Sequence, residues 1–140
     1  MVIACNTAHL LLPQLDERIQ RTIVSLIDTT MQHIAESDLR SIGLLASPTT
    51  ISTKLYTEPL HRQGITVILP TENELQAIEG LIRAAIAGER LEQTLEKLVA
   101  ELQQRGVQKV LLGCSELSML GKDLPGVIDP IELTIRKLLN

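Results

Sequence analysis

The sequence predicts an α/β fold in which parallel sheets are flanked by helices. Two observations carry this prediction. Short apolar runs alternate with segments of helical periodicity along the whole chain. Two cysteines also occupy matching positions, Cys5 after the apolar run 2–4 and Cys114 after the run 110–113. Because ligands bind at the carboxyl ends of strands in open α/β sheets, we expect both thiols to lie at one binding cleft.

The candidate strands fall into two half-similar units, each of which presents one thiol. The first unit has strands at 2–4 and 22–27, and the second has strands at 41–46, 64–69, 107–112 and 127–128. This repeat predicts two pseudo-symmetric lobes, of which the first is incomplete. We assign residues 1–36 to a remnant of the first lobe, 37–129 to the second lobe, and 130–140 to a closing helix that returns to the first. A buried strand at 2–4 needs neighbours on both sides, so we expect a further segment to precede residue 1.

Helix boundaries are marked by capping residues and breakers. Thr71 and Glu74 fit a capping box, which predicts the start of an amphipathic helix. Gly88 divides this helix from the next, which we expect to end at Gly106. Pro59 lies in an otherwise helical stretch, where it is expected to kink or end the helix.

Composition excludes several classes of function. The chain has 140 residues, 44% hydrophobic content and a formal net charge of −4. It contains one Tyr and neither Phe nor Trp, so no basic and aromatic surface for nucleic acid is predicted. Its apolar runs are too short to span a bilayer. We therefore expect a soluble, cytoplasmic protein that binds neither nucleic acid nor membranes.

The two thiols can be interpreted chemically or structurally. Cys5 and Cys114 both precede expected helix starts, where backbone dipoles stabilise a thiolate. Two thiols on opposite sides of one carbon could remove a proton from one face and return a proton to the other. The structural alternative is that both are small buried hydrophobes.

Other interpretations stay open at this point. Cys5 and His9 have helical spacing, so they could bind a metal with Cys114 as a third ligand, although no second close pair of ligands is present. A redox pair would require a CxxC motif, which is absent. His33 and His61 lie in polar helical stretches and are expected to be exposed. Glu116 could orient Cys114 or cap the following helix.

Three segments resemble the signature motifs of the aspartate/glutamate racemase superfamily, the cofactor-independent racemases that use two cysteines. They are Cys5-Asn6-Thr7-Ala8-His9, Leu45-Ala46-Ser47-Pro48-Thr49-Thr50 and Gly113-Cys114-Ser115-Glu116. The resemblance extends over the whole chain, and the motifs occur in the family's order. It implies a fold of two α/β lobes with the active site between them.

The resemblance also implies roles for individual residues. Cys5 and Cys114 would be the catalytic acid/base pair, no cofactor would be needed, and His9 and Glu116 would be possible orienting groups. Glu116 indicates the aspartate racemase branch, since glutamate racemases usually carry His there. The small acidic amino-acid substrate would be bound by a set of hydroxyl and amide residues: Asn6, Thr7, Ser47, Thr50 and Ser115.

The sequence also departs from the family pattern. Members normally begin with two further strand–helix units, and some aspartate-specific members carry a Lys where this chain has Ala77. Two alternatives to an amino-acid racemase therefore remain. One is a catalytically silent, truncated fragment that acts only as an assembly partner, and the other is a related isomerase or decarboxylase. Unpaired strand edges predict a homo-oligomer, most simply a dimer, that buries residues 1–30.

Overall fold

A computed structural model describes all residues, 1–140. Four parallel strands form one sheet in the order β2-β1-β3-β4. The strands are β1 (Ser41–Leu45), β2 (Thr66–Ile68), β3 (Lys109–Leu112) and β4 (Val127–Ile128). A 3-10 helix (Thr7–Gln14) precedes eight α-helices: α1 (Glu17–Gln20), α2 (Leu26–Ala35), α3 (Pro48–Ser52), α4 (Thr57–Arg62), α5 (Glu72–Ile86), α6 (Glu92–Gln104), α7 (Ser115–Gly121) and α8 (Pro130–Leu139). The predicted class, a parallel sheet flanked by helices, is confirmed.

β1 and β3 occupy the centre of the sheet. Ile42 of β1 is paired with Val67 of β2 on one side and with Lys109 of β3 on the other. β3 is paired in turn with β4, where Leu111 lies opposite Ile128. Since all pairings are parallel, the carboxyl ends of the strands lie at the same edge of the sheet. Cys114 therefore emerges at that edge, close behind the end of β3.

Two hydrophobic clusters cover the sheet. The larger contains buried residues of α5, α6 and α7, such as Ile78, Leu95 and Leu117. The other contains residues of α2 and α4, such as Ile34 and Leu60. None of the eight α-helices is both long and apolar enough to cross a membrane.

The helix signals in the second half of the chain are confirmed. The Thr71 side chain accepts from the Glu74 N–H, and the Glu74 carboxylate accepts from the Thr71 N–H at 2.7 Å. Arg105 binds the same carboxylate at 2.6 Å and so joins the end of α6 to the start of α5. Gly88 and Gly106 follow the two helices with positive φ, as expected of residues that end helices.

The prediction of buried strands at 2–4 and 22–27 is wrong. The two segments meet only at one parallel bridge, between Val2 and Val24. Ser25 caps α2 by accepting from the Asp28 N–H. The helix therefore begins at Leu26, a residue that the apolar pattern had assigned to a strand. The physical reason is that a strand needs continuous partners. With a single pairing available, local capping decides the conformation.

The expected break at Pro59 is also wrong. Pro59 is the third residue of α4, and the helix continues to Arg62. The first four N–H groups of a helix have no partner within it, so proline costs little at this position. The chain instead bends earlier, between α3 and α4, where Lys54 has positive φ.

Candidate active site

Cys114 is held at the start of α7. It is the N-cap residue of that helix, and its side chain is 9% exposed. Its Sγ donates to Glu116 Oε2 at 2.8 Å, and the Ser115 hydroxyl donates to the same oxygen at 3.0 Å. Glu116 therefore binds the thiol directly.

The surroundings of Cys114 favour its protonated form. Burial raises the pKa of the Cys114 thiol to about 12, and the adjacent Glu116 carboxylate contributes in the same direction. Burial opposes ionisation of Glu116 as well, but hydrogen bonds from the Cys114 thiol, from its own backbone N–H and from Ser115 hold the pKa of this carboxyl below its ordinary value. At neutral pH the pair is thus a thiol that donates to a carboxylate.

Replacing Glu116 by Gln should make Cys114 more reactive. The change removes a negative charge beside the sulfur, so the pKa of Cys114 falls toward its ordinary value, although burial still keeps it raised. Since alkylation requires the thiolate, the rate of iodoacetamide labelling at about pH 8.5 should rise, by about tenfold for each unit of pKa decrease. Mass spectrometry of labelled peptides measures Cys114 and Cys5 separately. The matched control is Glu89→Gln, which removes an exposed carboxylate and should leave the labelling rate of Cys114 unchanged. Equal labelling rates in Glu116→Gln and the parent chain would contradict the assigned effect of Glu116 on the thiol.

Cys5 lies in a different environment. It is exposed, so it is not the small buried hydrophobe of the structural alternative. Its Sγ lies 3.4 Å from Thr7 Oγ1, and the residues that follow form the 3-10 helix. The expected helix after this cysteine is therefore present, but the strand before it is reduced to the bridge at Val2.

His9 fastens the Cys5 segment to α2. Its Nδ1 lies 2.9 Å from the Cys5 carbonyl oxygen, and its Nε2 accepts from the Leu26 N–H at 3.0 Å. Because Nε2 is the acceptor in this pair, Nδ1 carries the proton and donates to the carbonyl. His9 is 6% exposed and both of its nitrogens are engaged. A metal bound by Cys5 and His9 does not fit this arrangement, and no group of three or more His, Cys, Asp and Glu residues is placed to hold a metal ion.

Asn6 is bound by Tyr56, a residue outside the three motif segments. The Tyr56 hydroxyl donates to Asn6 Oδ1, and both side chains are buried. Tyr56 is the chain's single aromatic residue. A tyrosine hydroxyl usually needs a hydrogen-bond partner when it is buried, and this general rule is the only sequence signal for the contact.

The hydroxyl segment after β1 starts the short helix α3. The Ser47 side chain accepts from the Thr50 N–H at 3.3 Å and donates to Thr50 Oγ1 at 3.1 Å. Thr50 is 1% exposed, whereas Ser47 is partly exposed. Tyr56 follows this helix after residues 53–55, caps the start of α4, and contacts Asn6 through its hydroxyl.

One cleft adjoins both cysteine segments. It has a volume of about 930 Å³, and its lining includes Ala4 and Ser115, the chain neighbours of Cys5 and Cys114. Asp129 also lines it, and its carboxylate caps α8 and accepts from the Ser118 hydroxyl at 2.8 Å. His33 and His61 are exposed, as expected.

Hydroxyl, thiol and carboxylate groups thus follow the two central strands of the parallel sheet, at Ser47, Cys114 and Glu116. A profile of the Asp/Glu/Hydantoin racemase family matches residues 1–138. The chain belongs to this family.

Individual relatives agree with that assignment. The glutamate racemase of Shewanella pealeana is 34% identical over 135 residues, which cover 91% of this chain and 48% of that protein. An aspartate racemase homologue from Pyrococcus horikoshii is 28% identical with a TM-score of 0.75, over 99% of this chain and 64% of the other. The aspartate racemase of Picrophilus torridus shares the fold, with a TM-score of 0.76 at 23% identity, over 94% of this chain and 56% of the other. The chain thus spans about half the length of the glutamate racemases that it matches.

Proposed function

We propose that this protein is an amino-acid racemase, similar to aspartate racemases, that inverts the α-carbon of a small acidic amino acid by proton transfer between Cys5 and Cys114. The observation that carries the proposal is the cleft of about 930 Å³, which is bordered by the neighbours of both cysteines, Ala4 and Ser115. Cys5 and Cys114 are not among the residues that line the cleft, so the proposal places each thiol at its rim. Membership of the racemase family supplies the reaction class.

Cys114 acts as the base in its thiolate form, which removes the α-proton from one face of the substrate. Glu116 binds the Cys114 thiol at 2.8 Å and holds it in position between turnovers. The Cys5 thiol then donates its proton to the opposite face, which leaves a Cys5 thiolate and a neutral Cys114. A thiol whose pKa is raised gives a stronger base once it is deprotonated, and this suits abstraction of a weakly acidic α-proton.

The substrate α-carboxylate is assigned to polar residues of the three motif segments, of which Ser115 lines the cleft. Asn6, Thr7, Ser47, Thr50 and Ser115 offer amide and hydroxyl donors, and such donors stabilise the negative charge that moves toward the carboxylate as the proton leaves. No cofactor takes part in this scheme, because both protons travel through side chains of this chain.

Aspartate is the preferred candidate substrate. Glu116 next to Ser115 is the aspartate-like feature of the third motif, and the Pyrococcus horikoshii aspartate racemase homologue matches 99% of this chain. The glutamate racemases among the relatives make glutamate the natural comparison.

The deciding experiment measures exchange of the α-hydrogen in deuterated water. L- and D-enantiomers of aspartate and of glutamate are incubated with the protein in EDTA, without any added cofactor, and followed by proton NMR and chiral chromatography. Inversion of aspartate with deuterium at the α-carbon is the expected result. Failure to invert either amino acid, or inversion that appears only when a metal replaces EDTA, would contradict the proposal.

We also expect the protein to be a dimer in the cytoplasm. Leu11 and Ile19 are exposed in the amino-terminal segment, and Val2 has a partner strand on one side only. Exposed apolar residues beside an unpaired edge favour association. Sedimentation equilibrium should give twice the chain mass, with the amides of residues 1–30 protected from hydrogen exchange. A stable monomer over the whole concentration range would contradict this expectation.

A further inference from the structure

The hydrogen bond between Tyr56 and Asn6 spans two distant parts of the chain. Tyr56 is 0% exposed and lies in the hydrophobic cluster on the α2 and α4 side of the sheet. A phenol hydroxyl buried among apolar side chains needs a partner, and Asn6 Oδ1 provides one. Burial also raises the pKa of the Tyr56 hydroxyl far above its ordinary value, so the group stays a neutral donor.

This donor determines which way the Asn6 amide faces. A neutral phenol that gives its proton to Asn6 must meet the oxygen Oδ1, because the amide nitrogen Nδ2 carries hydrogens of its own. Nδ2 is therefore left as the free donor. Asn6 is 3% exposed, and its Nδ2 has no hydrogen-bond acceptor in the chain.

An unpartnered buried amide is unfavourable unless a ligand completes it. Leaving a buried donor without an acceptor destabilises the fold, and natural proteins keep few of them. Asn6 directly follows Cys5 in the chain, so an acceptor that a bound substrate supplied to Nδ2 would lie beside the residue that carries the first thiol. A carboxylate oxygen of an amino acid has the charge and the lone pairs to accept from Nδ2.

We propose that Tyr56 is a positioning residue of the racemase site: its hydroxyl fixes the Asn6 amide so that Nδ2 donates to the carboxylate of the bound amino acid. The proposal rests on the function proposed above. It assigns to Tyr56 an effect on substrate affinity, exerted entirely through Asn6.

The test combines three variants with two measurements. Tyr56→Phe removes the hydroxyl and keeps the ring, Asn6→Ala removes the amide, and the double variant combines them. The first measurement is the shift of the Asn6 side-chain amide signals in ¹⁵N NMR when aspartate is added, and the second is the KM for aspartate. Thr57→Val is the matched control, because Thr57 Oγ1 is buried next to Tyr56 and has no partner.

We expect Tyr56→Phe to weaken aspartate binding and raise KM about tenfold with a smaller effect on kcat, the effect of losing one orienting hydrogen bond. In the Asn6→Ala background the same change should have no further effect on KM, because Tyr56 acts on the substrate only through the Asn6 amide. Thr57→Val should leave both measurements at parent values.

Several outcomes would overturn the proposal. One is an Asn6 amide signal in the parent chain that does not respond to aspartate. Another is equal affinity in Tyr56→Phe and the parent chain, and a third is an undiminished effect of Tyr56→Phe in the Asn6→Ala background, which would indicate a structural role only. The two proposals can also fail separately. If the Asn6 amide signal responds to aspartate and this response requires Tyr56, but the protein does not racemise aspartate, the positioning role is supported and the proposed function is contradicted.

Discussion

Replacing either Cys5 or Cys114 by Ala should abolish racemisation of aspartate. Each direction of the reaction needs one thiolate and one thiol, so loss of either sulfur removes a general acid or base that contributes about 10²–10⁴-fold to the rate. Each single variant should still exchange the α-hydrogen of one enantiomer with deuterium, since the remaining thiol can remove a proton and return it to the same face. Proton NMR in deuterated water together with chiral chromatography separates exchange from inversion.

The control is Glu96→Ala, which changes an exposed residue of α6 outside the cleft. It should leave inversion within about twofold, because surface changes away from the reacting groups have small effects. Racemisation by the variant that lacks both cysteines would exclude the mechanism. Loss of inversion in Glu96→Ala to the same extent would show that the cysteine effects are not specific.

Gly113→Ala should destabilise the protein and disturb Cys114. A Cβ at position 113 would lie 2.9 Å from Ala46 Cβ and 3.3 Å from Leu44 Cδ1. Ala46 has no alternative rotamer, so the backbone of β1 or β3 has to move. Overpacking of this kind costs about 1–3 kcal/mol of unfolding free energy. Urea denaturation followed by circular dichroism measures the loss.

Gly80→Ala is the matched control for this change. Gly80 lies within α5, and a Cβ there would meet no atom within 4 Å. Alanine is the better helix former, so this variant should gain about 0.5–1 kcal/mol. The two identical substitutions are thus expected to have opposite signs. A Gly113→Ala protein as stable as the parent chain would mean that the contact with Ala46 is not tight.

Much of the fold could be predicted, because its strands and helix ends are determined by residues close together in the sequence. The four strands of the sheet were predicted within two residues at each end, because each apolar run is bounded by Gly, Pro or polar residues. The capping box at Thr71 and the glycine at 88 fixed the bounds of α5 in the same way. These features depend on neighbouring residues alone, which is why a single sequence sufficed.

The amino-terminal segment could not be predicted in this way. The run at 2–4 has strand composition, but whether it becomes a strand depends on partners far away in the chain. Only Val24 pairs with it, so a bridge forms instead of a ladder.

The candidate site was predicted unevenly for a related reason. Cys114, Ser115 and Glu116 are adjacent in sequence, and their hydrogen bonds confirm an interaction between the thiol and Glu116. The roles of Asn6 and His9 depend on contacts over longer separations, to Tyr56 and to Leu26. No periodicity or motif indicates such contacts. The catalytic and binding roles themselves stay predictions until the variants are measured.

The strand order β2-β1-β3-β4 has a consequence for the order of folding. β1 and β2 are joined by the short helices α3 and α4, whereas α5 and α6 both intervene before β3 can pair with β1. Closing the longer loop costs more chain entropy, so the β1–β2 unit is expected to form before the centre of the sheet is complete. The thiol of Cys114, which follows β3, is then placed late, and the site is assembled only in the last stage of folding.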